Sequence, residues 1–84
     1  MAHFRLLKVQ PTIVDAGLGT LDITAAGAAT FYLDGETSHL ERVRIEWAGA
    51  DGILLSGLEP AGADRGGRAK YLHQEWMLKY IQPT

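Results

Sequence analysis

The sequence predicts a small, mainly β domain. We expect an antiparallel meander of about five short strands, curled into a barrel or open sandwich, with a C-terminal helix packed on it. Two segments alternate strictly between apolar and polar residues, which is typical of half-buried strands. Glycine-rich and aspartate-containing turn signals recur between the apolar runs at intervals of about 8 to 12 residues.

Length and composition indicate one folded domain over residues 1–84. Half of such a chain would fall below the size at which a core holds without metals or disulfides. An apolar fraction of 46% and a charged fraction of 21% of mixed sign are those of a folded chain. Because a core this small leaves a thin margin of stability, we expect a homo-oligomer.

The absence of cysteine and the distribution of charge limit which classes of function the protein can have. The chain has no cysteine, which excludes disulfides, thiol catalysis and cysteine-based zinc sites and suits a reducing compartment. The first apolar run is short and is broken by Arg5 and Lys8, so we expect a cytoplasmic protein without a membrane partner. Two basic and eight acidic residues give the segment 11–60 a net charge of −6, whereas 1–10 and 61–84 carry +2 each. Opposite patches of two copies could therefore face each other.

The first half of the chain contains three predicted strands. Phe4–Val9 is the first, and Pro11 should end it or place it at an edge. Asp15–Thr20 is predicted to be a turn that leads into the alternating strand Thr20–Ala25. The small residues that follow predict a bulge or bend before the strand Ala29–Gly35.

The segment Glu41–Trp47 is the clearest strand in the sequence, with arginine and glutamate alternating on its polar face. Ala48–Gly52 then predicts a hairpin loop before the apolar strand Ile53–Leu58. Alternation predicts that five side chains of the two strictly alternating strands lie together beneath one β layer: Leu21, Ile23, Val43, Ile45 and Trp47.

The C-terminal segment Arg68–Ile81 fits either of two structures. On helical spacing, six of the seven residues in one stripe are apolar or aromatic, and Pro83 would stop a helix soon afterwards. The aromatic residues also suit a sixth strand, joined to Ile53–Leu58 by a glycine-rich hairpin loop from Gly57 to Arg68. The helix is favoured, and in either structure Trp76 should seal the last element against the sheet.

The sequence points to no catalytic residue, metal ligand or cofactor. The glycine-rich stretch Gly57–Lys70 matches no phosphate-loop motif, so a connector is favoured over an anion site. His3, His39 and His73 are far apart and lack ligand spacing. Ser56 is not in the G-x-S-x-G motif of hydrolases.

The candidate binding residues are basic side chains of the glycine-rich stretch, two tyrosines that lie off the apolar alternation, and one histidine: Arg65, Arg68, Lys70, Tyr32, Tyr71 and His73. We expect a non-enzymatic binding module that self-associates or docks a protein partner through exposed aromatic and apolar surface. The alternative is a small nucleic-acid-binding barrel that uses the segment 65–71, with Tyr71 stacking on bases. A third possibility is an enzyme with its active site at a subunit interface near His73 or Glu75.

Overall fold

The computed structural model of the chain describes residues 3–33 and 35–81, whose backbone forms six β-strands and no helix. In chain order the strands are β1 (His3–Gln10), β2 (Val14–Ile23), β3 (Ala29–Leu33), β4 (Glu36–Ala48), β5 (Gly52–Ala63) and β6 (Ala69–Tyr80). Each strand pairs antiparallel with the next, and β6 also pairs with β1, so the sheet closes into a barrel. The predicted small, mainly β barrel is confirmed, with six strands rather than five.

The predicted C-terminal helix is wrong, and the alternative of a sixth strand is right. Trp76 and Leu78 face the barrel interior, while Met77 between them lies on the outer wall and is 48% exposed. When a strand has apolar residues on both faces, its sequence no longer alternates between apolar and polar residues. The apolar positions of this segment therefore also fit the spacing of a helix. In the barrel, β6 instead hydrogen-bonds to both β1 and β5.

Two predicted connections also differ from the structure. The predicted turn Asp15–Thr20 lies within β2, where Gly17, at a φ of 80°, and Asp15 pair with the adjacent β1 residues Leu6 and Leu7. This register shift is a β-bulge, which bends a strand without ending it. The predicted loop 57–68 is mostly strand, because β5 continues to Ala63. Asp34, in the predicted Asp-Gly turn, lies outside the described residues.

A tight turn joins β5 to β6. The Gly67 N–H donates to the Asp64 carbonyl oxygen at 3.1 Å, and Gly67 has a φ of 80°, which glycine adopts without strain. The Asp64 side-chain oxygen Oδ1 accepts further bonds from the N–H groups of Gly66 and Arg68, both at 2.9 Å. The turn 24–28 between β2 and β3 has the same backbone bonds, so the predicted bend there is a hairpin turn.

The core lies inside the barrel. The Phe31 and Trp76 rings stack there, with centroids 4.5 Å apart, which confirms the predicted burial of Trp76. Phe4 closes one end against Tyr80, at 5.2 Å between ring centroids. The buried apolar cluster consists of Phe4, Leu6, Phe31, Leu40, Leu55, Trp76 and Leu78. Such close packing leaves the wall and the barrel ends as the places for ligands or partners.

The predicted interior set is only partly right. Leu21 and Val43 pack against the core, but Ile23 is 39% exposed at the end of β2. Ile45 and Trp47 are 53% and 52% exposed. For Trp47 the reason is a bulge in β4: Ile45 pairs with Leu55 and Trp47 with Leu54, so residues two apart in β4 oppose adjacent residues of β5. Strict alternation therefore fails between Ile45 and Trp47.

Candidate functional site

An apolar groove crosses the outer wall of the barrel over β4, β5 and β6. Trp47 pairs with Leu54, and Leu54 pairs with Met77, so the three side chains lie in one row on the outer face. Trp47 and Met77 are about half exposed, and Leu54 is half-buried. The groove has a volume of about 430 Å³, and Asp51 and Lys79 also line it. This is an open apolar surface rather than an enclosed pocket.

Gly49 leaves room for the Trp47 ring beside this groove. A Cβ atom at position 49 would lie 2.6 Å from Cζ2 of Trp47, which is too close for any side chain. The Gly49 N–H donates to the Gly52 carbonyl oxygen at 2.9 Å and closes the connection from β4 to β5. The β4 bulge turns Trp47 outward, and the glycine lets its indole ring approach the backbone of this turn closely.

The groove carries one charge of each sign. Asp51 and Lys79 are exposed and line the groove, and neither belongs to either of the two ion pairs found in the described residues. Charges at the edge of an apolar surface favour partners that present the opposite charges in the matching positions.

A two-stranded arm extends from the barrel. The pairing of β4 with β5 begins at Leu58, and the pairing of β1 with β6 ends at Glu75, so beyond these residues β5 and β6 pair only with each other. At about 3.3 Å per residue, the free part spans about 20 Å. The molecule measures 52 × 25 × 21 Å, which reflects this extension. The stretch predicted to be a connector is therefore an ordered arm with a tight turn at its tip.

Four of the predicted binding residues lie on the arm. Arg65, Arg68, Lys70 and Tyr71 are all exposed. Arg65 and Arg68 belong to the tip, whereas Lys70 and Tyr71 are neighbours in β6 and point to opposite faces. The arm therefore gathers the basic residues near its end, but it does not place Tyr71 on the same face as Lys70.

The other two predicted binding residues lie elsewhere. His73 is on the outer face opposite Leu58, where it lines a small depression of about 240 Å³ together with Arg42 and Arg44. Tyr32 lies on β3, which is three strands from β6 in either direction around the barrel. Tyr32 and the arm cannot form one contact surface on a single copy.

One end of the barrel opens into a cavity of about 660 Å³. The Lys8 ammonium lies 5.5 Å from the centroid of the Trp76 ring, a cation–π distance, and Leu33, Glu36 and Ser38 line the same cavity. The cavity is wide open and its lining is of mixed polarity.

A buried polar chain supports the base of the arm. Gln74 is 1% exposed, and its Oε1 accepts a hydrogen bond of 2.8 Å from Nε1 of Trp76. Its Nε2 donates to a carboxylate oxygen of Glu59 on β5. Both polar ends of the buried amide are therefore satisfied, and these two hydrogen bonds link the core to the first residues of the arm.

One exposed ion pair links β1 and β2. Arg5 Nη2 lies 2.7 Å from a carboxylate oxygen of Asp15. This hydrogen bond, together with the one from the Gly17 N–H, lowers the pKa of Asp15 below its usual value, and the same pair raises the pKa of Arg5. Both side chains face water, so the pair contributes little to stability.

The sequence did not identify the groove residues as candidates. Alternation assigned Trp47 to the interior, and the helix pattern hid Met77. The paired glycines at positions 49 and 52 were the available signal, because glycine beside a large aromatic residue indicates close approach of the backbone.

Within residues 3–33 and 35–81, no three His, Cys, Asp or Glu side chains converge in a way that could hold a metal ion. The same part of the chain has no helix that is long and apolar enough to cross a membrane.

The sequence matches no protein-family model, and no curated protein or solved structure shows significant similarity to it. The groove and the arm are therefore the features of the molecule that bear on its function.

Proposed function

We propose that this protein is a self-associating interaction module, and that two copies meet across the groove formed by Trp47, Leu54 and Met77. The observation that carries the proposal is the outward position of Trp47 in a row of apolar side chains on the barrel wall. The absence of cysteine suits a reducing cytoplasm as the place where it acts.

The amount of exposed apolar surface supports self-association. The accessible surface is 5877 Å², whereas a compact monomer of this mass exposes about 4,900 Å². The arm accounts for some of the excess, but apolar side chains on the barrel wall add to it. Eleven large hydrophobic side chains in the described part of the chain are at least 39% exposed. Two of them, Trp47 and Met77, lie together in the groove, and a contiguous exposed apolar patch is typical of a surface that meets a partner.

Burial of Trp47 would supply a large share of the association energy. Half of a tryptophan side chain corresponds to about 100 Å² of surface, and its removal from water contributes about 2.5 kcal/mol per copy. A symmetric dimer gains this contribution twice. Tryptophan at the centre of a contact is also among the residues whose loss weakens binding most.

The charges beside the groove favour a second copy over an unrelated partner. In a two-fold symmetric contact, any residue that touches a different residue across the interface is touched by it in return. The opposite charges of Asp51 and Lys79 can therefore pair reciprocally across the axis, and each groove supplies what the other lacks.

Sedimentation equilibrium over a range of protein concentrations tests the proposal. We expect a dimer for the parent protein and a shift toward monomer for Trp47→Ser, because the central apolar contact is lost. Tyr32→Ser is the matched control, since Tyr32 is also an exposed aromatic residue, at 45%, but lies on β3. This control should associate like the parent.

A charge exchange tests the geometry of the interface. Asp51→Lys and Lys79→Asp should each weaken the dimer through like-charge contacts, and the double variant should restore it. A parent that stays monomeric at high concentration contradicts self-association. A dimer that tolerates both Trp47→Ser and the single charge changes would mean that the interface lies elsewhere.

A further inference from the structure

We propose that the arm is a binding site for duplex DNA, and that Arg65, Arg68 and Lys70 contact the phosphates on either side of the major groove. This second function uses a surface separate from the groove on the barrel wall. It does not depend on self-association.

The shape of the arm fits this ligand. Its two strands lie about 4.8 Å apart and extend about 20 Å beyond the barrel. The major groove of B-form DNA is about 12 Å wide and 8.5 Å deep, and it admits a two-stranded β-ribbon. The arm is therefore narrow enough to lie in the major groove, with its basic side chains toward the phosphates at the groove's edges, while the barrel stays outside.

The distribution of charge supports the same orientation. From Glu59 to Gln74 the chain has three basic residues and two acidic residues, a net charge of +1, so the remaining residues carry −3. Of the two acidic residues, Glu59 at the base accepts a hydrogen bond from Gln74, and Oδ1 of Asp64 accepts two from backbone N–H groups of the turn. A polyanion attracts the arm and repels the barrel, so the molecule approaches DNA with its arm first.

The three basic side chains are free to bind. All are exposed, and in the part of the chain that the structure describes none of them is within ion-pair distance of a carboxylate. Arginine and lysine without internal partners can release the counterions of a phosphate backbone at no cost in broken ion pairs.

Hydrogen bonds at the base of the arm fix its direction relative to the barrel. Gln74 in β6 joins Glu59 in β5 to the indole of Trp76 in the core. Beyond this anchor the ribbon has only its own strand pairing, and a two-stranded ribbon is marginally stable in water. A bound duplex would supply the contacts that the free arm lacks.

The test is fluorescence anisotropy with a labelled DNA duplex of about 20 base pairs, titrated with the full chain at several salt concentrations. Three phosphate contacts predict a slope of about −2.7 in a plot of log K against log salt, or a loss of about 40-fold in affinity between 50 and 200 mM. Arg65→Ala, Arg68→Ala and Lys70→Ala should each reduce the magnitude of the slope by about 0.9.

Arg5→Ala is the matched control, because it removes one positive charge from the barrel at a residue already paired with Asp15. Its slope should equal that of the parent. Circular dichroism of each variant should show the parent's β spectrum. Repeating the titration with Trp47→Ser separates this inference from self-association, since the arm should bind DNA even if the groove fails to form a dimer.

Four results would overturn the proposal. The first is no binding to the duplex at about 50 mM salt, and the second is arm variants that bind like the parent. The third is a preference for single-stranded DNA, which would exclude insertion into the major groove. The fourth is equal affinity and salt slope for poly-glutamate, which would make the arm a site for acidic proteins instead.

Discussion

Replacement of Gln74 by alanine should destabilise the barrel more than any exposed substitution of the same type. Gln74 is 1% exposed and satisfies the Trp76 indole N–H at 2.8 Å. Without it, that N–H has no acceptor in the core, Glu59 loses a donor, and a cavity opens beside the Phe31–Trp76 stack. The aromatic pair then lacks the hydrogen bond that fixes the indole ring.

The expected cost follows from these losses. A buried donor left without a partner costs about 1–3 kcal/mol, and the cavity adds to this, so we expect about 3 kcal/mol in total. A chain of 84 residues has about 4–13 kcal/mol of stability, so the loss is a large fraction of it. The melting temperature should fall by about 12–24 °C.

Urea unfolding followed by tryptophan fluorescence measures this effect. In a Trp47→Phe background, Trp76 is the remaining one of two tryptophans and reports the core directly. Gln10→Ala is the matched control, because Gln10 is exposed on β1, and it should change the free energy of unfolding by less than about 0.5 kcal/mol. If Gln74→Ala costs no more than Gln10→Ala, the buried polar chain does not support the core and the reasoning is refuted.

Three further perturbations test other parts of the fold. Gly52→Ala should cost about 1–3 kcal/mol in urea unfolding, because its Cβ would overlap the Leu78 carbonyl oxygen, while Gly66→Ala in the open turn should be tolerated; equal costs would contradict the packing at Gly52. Arg42→Gly should raise stability by about 0.5 kcal/mol, since Arg42 has a φ of 51° and relief of that strain exceeds the added entropy of the unfolded chain; a lower urea midpoint would oppose this. The pKa of Asp15 is lowered in the fold, so its contribution is present above its unfolded pKa, near 4, and is lost as the pH falls through the folded value. The urea midpoint of Asp15→Asn should therefore fall less below about pH 4 than that of the parent. If the two midpoints fall equally as the pH is lowered, Asp15 does not contribute to stability in this way.

Several features of the fold could be predicted from local patterns. Alternation in Thr20–Ala25 and Glu41–Trp47 identified strands. The first segment begins in β2, which ends at Ile23, and the second lies wholly in β4. The exposure of Arg65, Arg68, Lys70 and Tyr71 was also predictable, because they lie in a polar, glycine-rich stretch. The groove was not predictable, because the β4 bulge that exposes Trp47 is a matter of register with β5.

The sequence by itself determined that this chain forms β-strands around one core, because side-chain alternation and turn residues act over a few neighbouring positions. Only the tertiary structure decided that Trp47 faces outward and that residues 69–80 form a strand. Both outcomes depend on pairing with distant strands: β6 fills the gap between β1 and β5, and the β4 register turns Trp47 to the outside. Interactions between residues far apart in the chain leave no local pattern in the sequence, and the β4 register that created the groove is one of them.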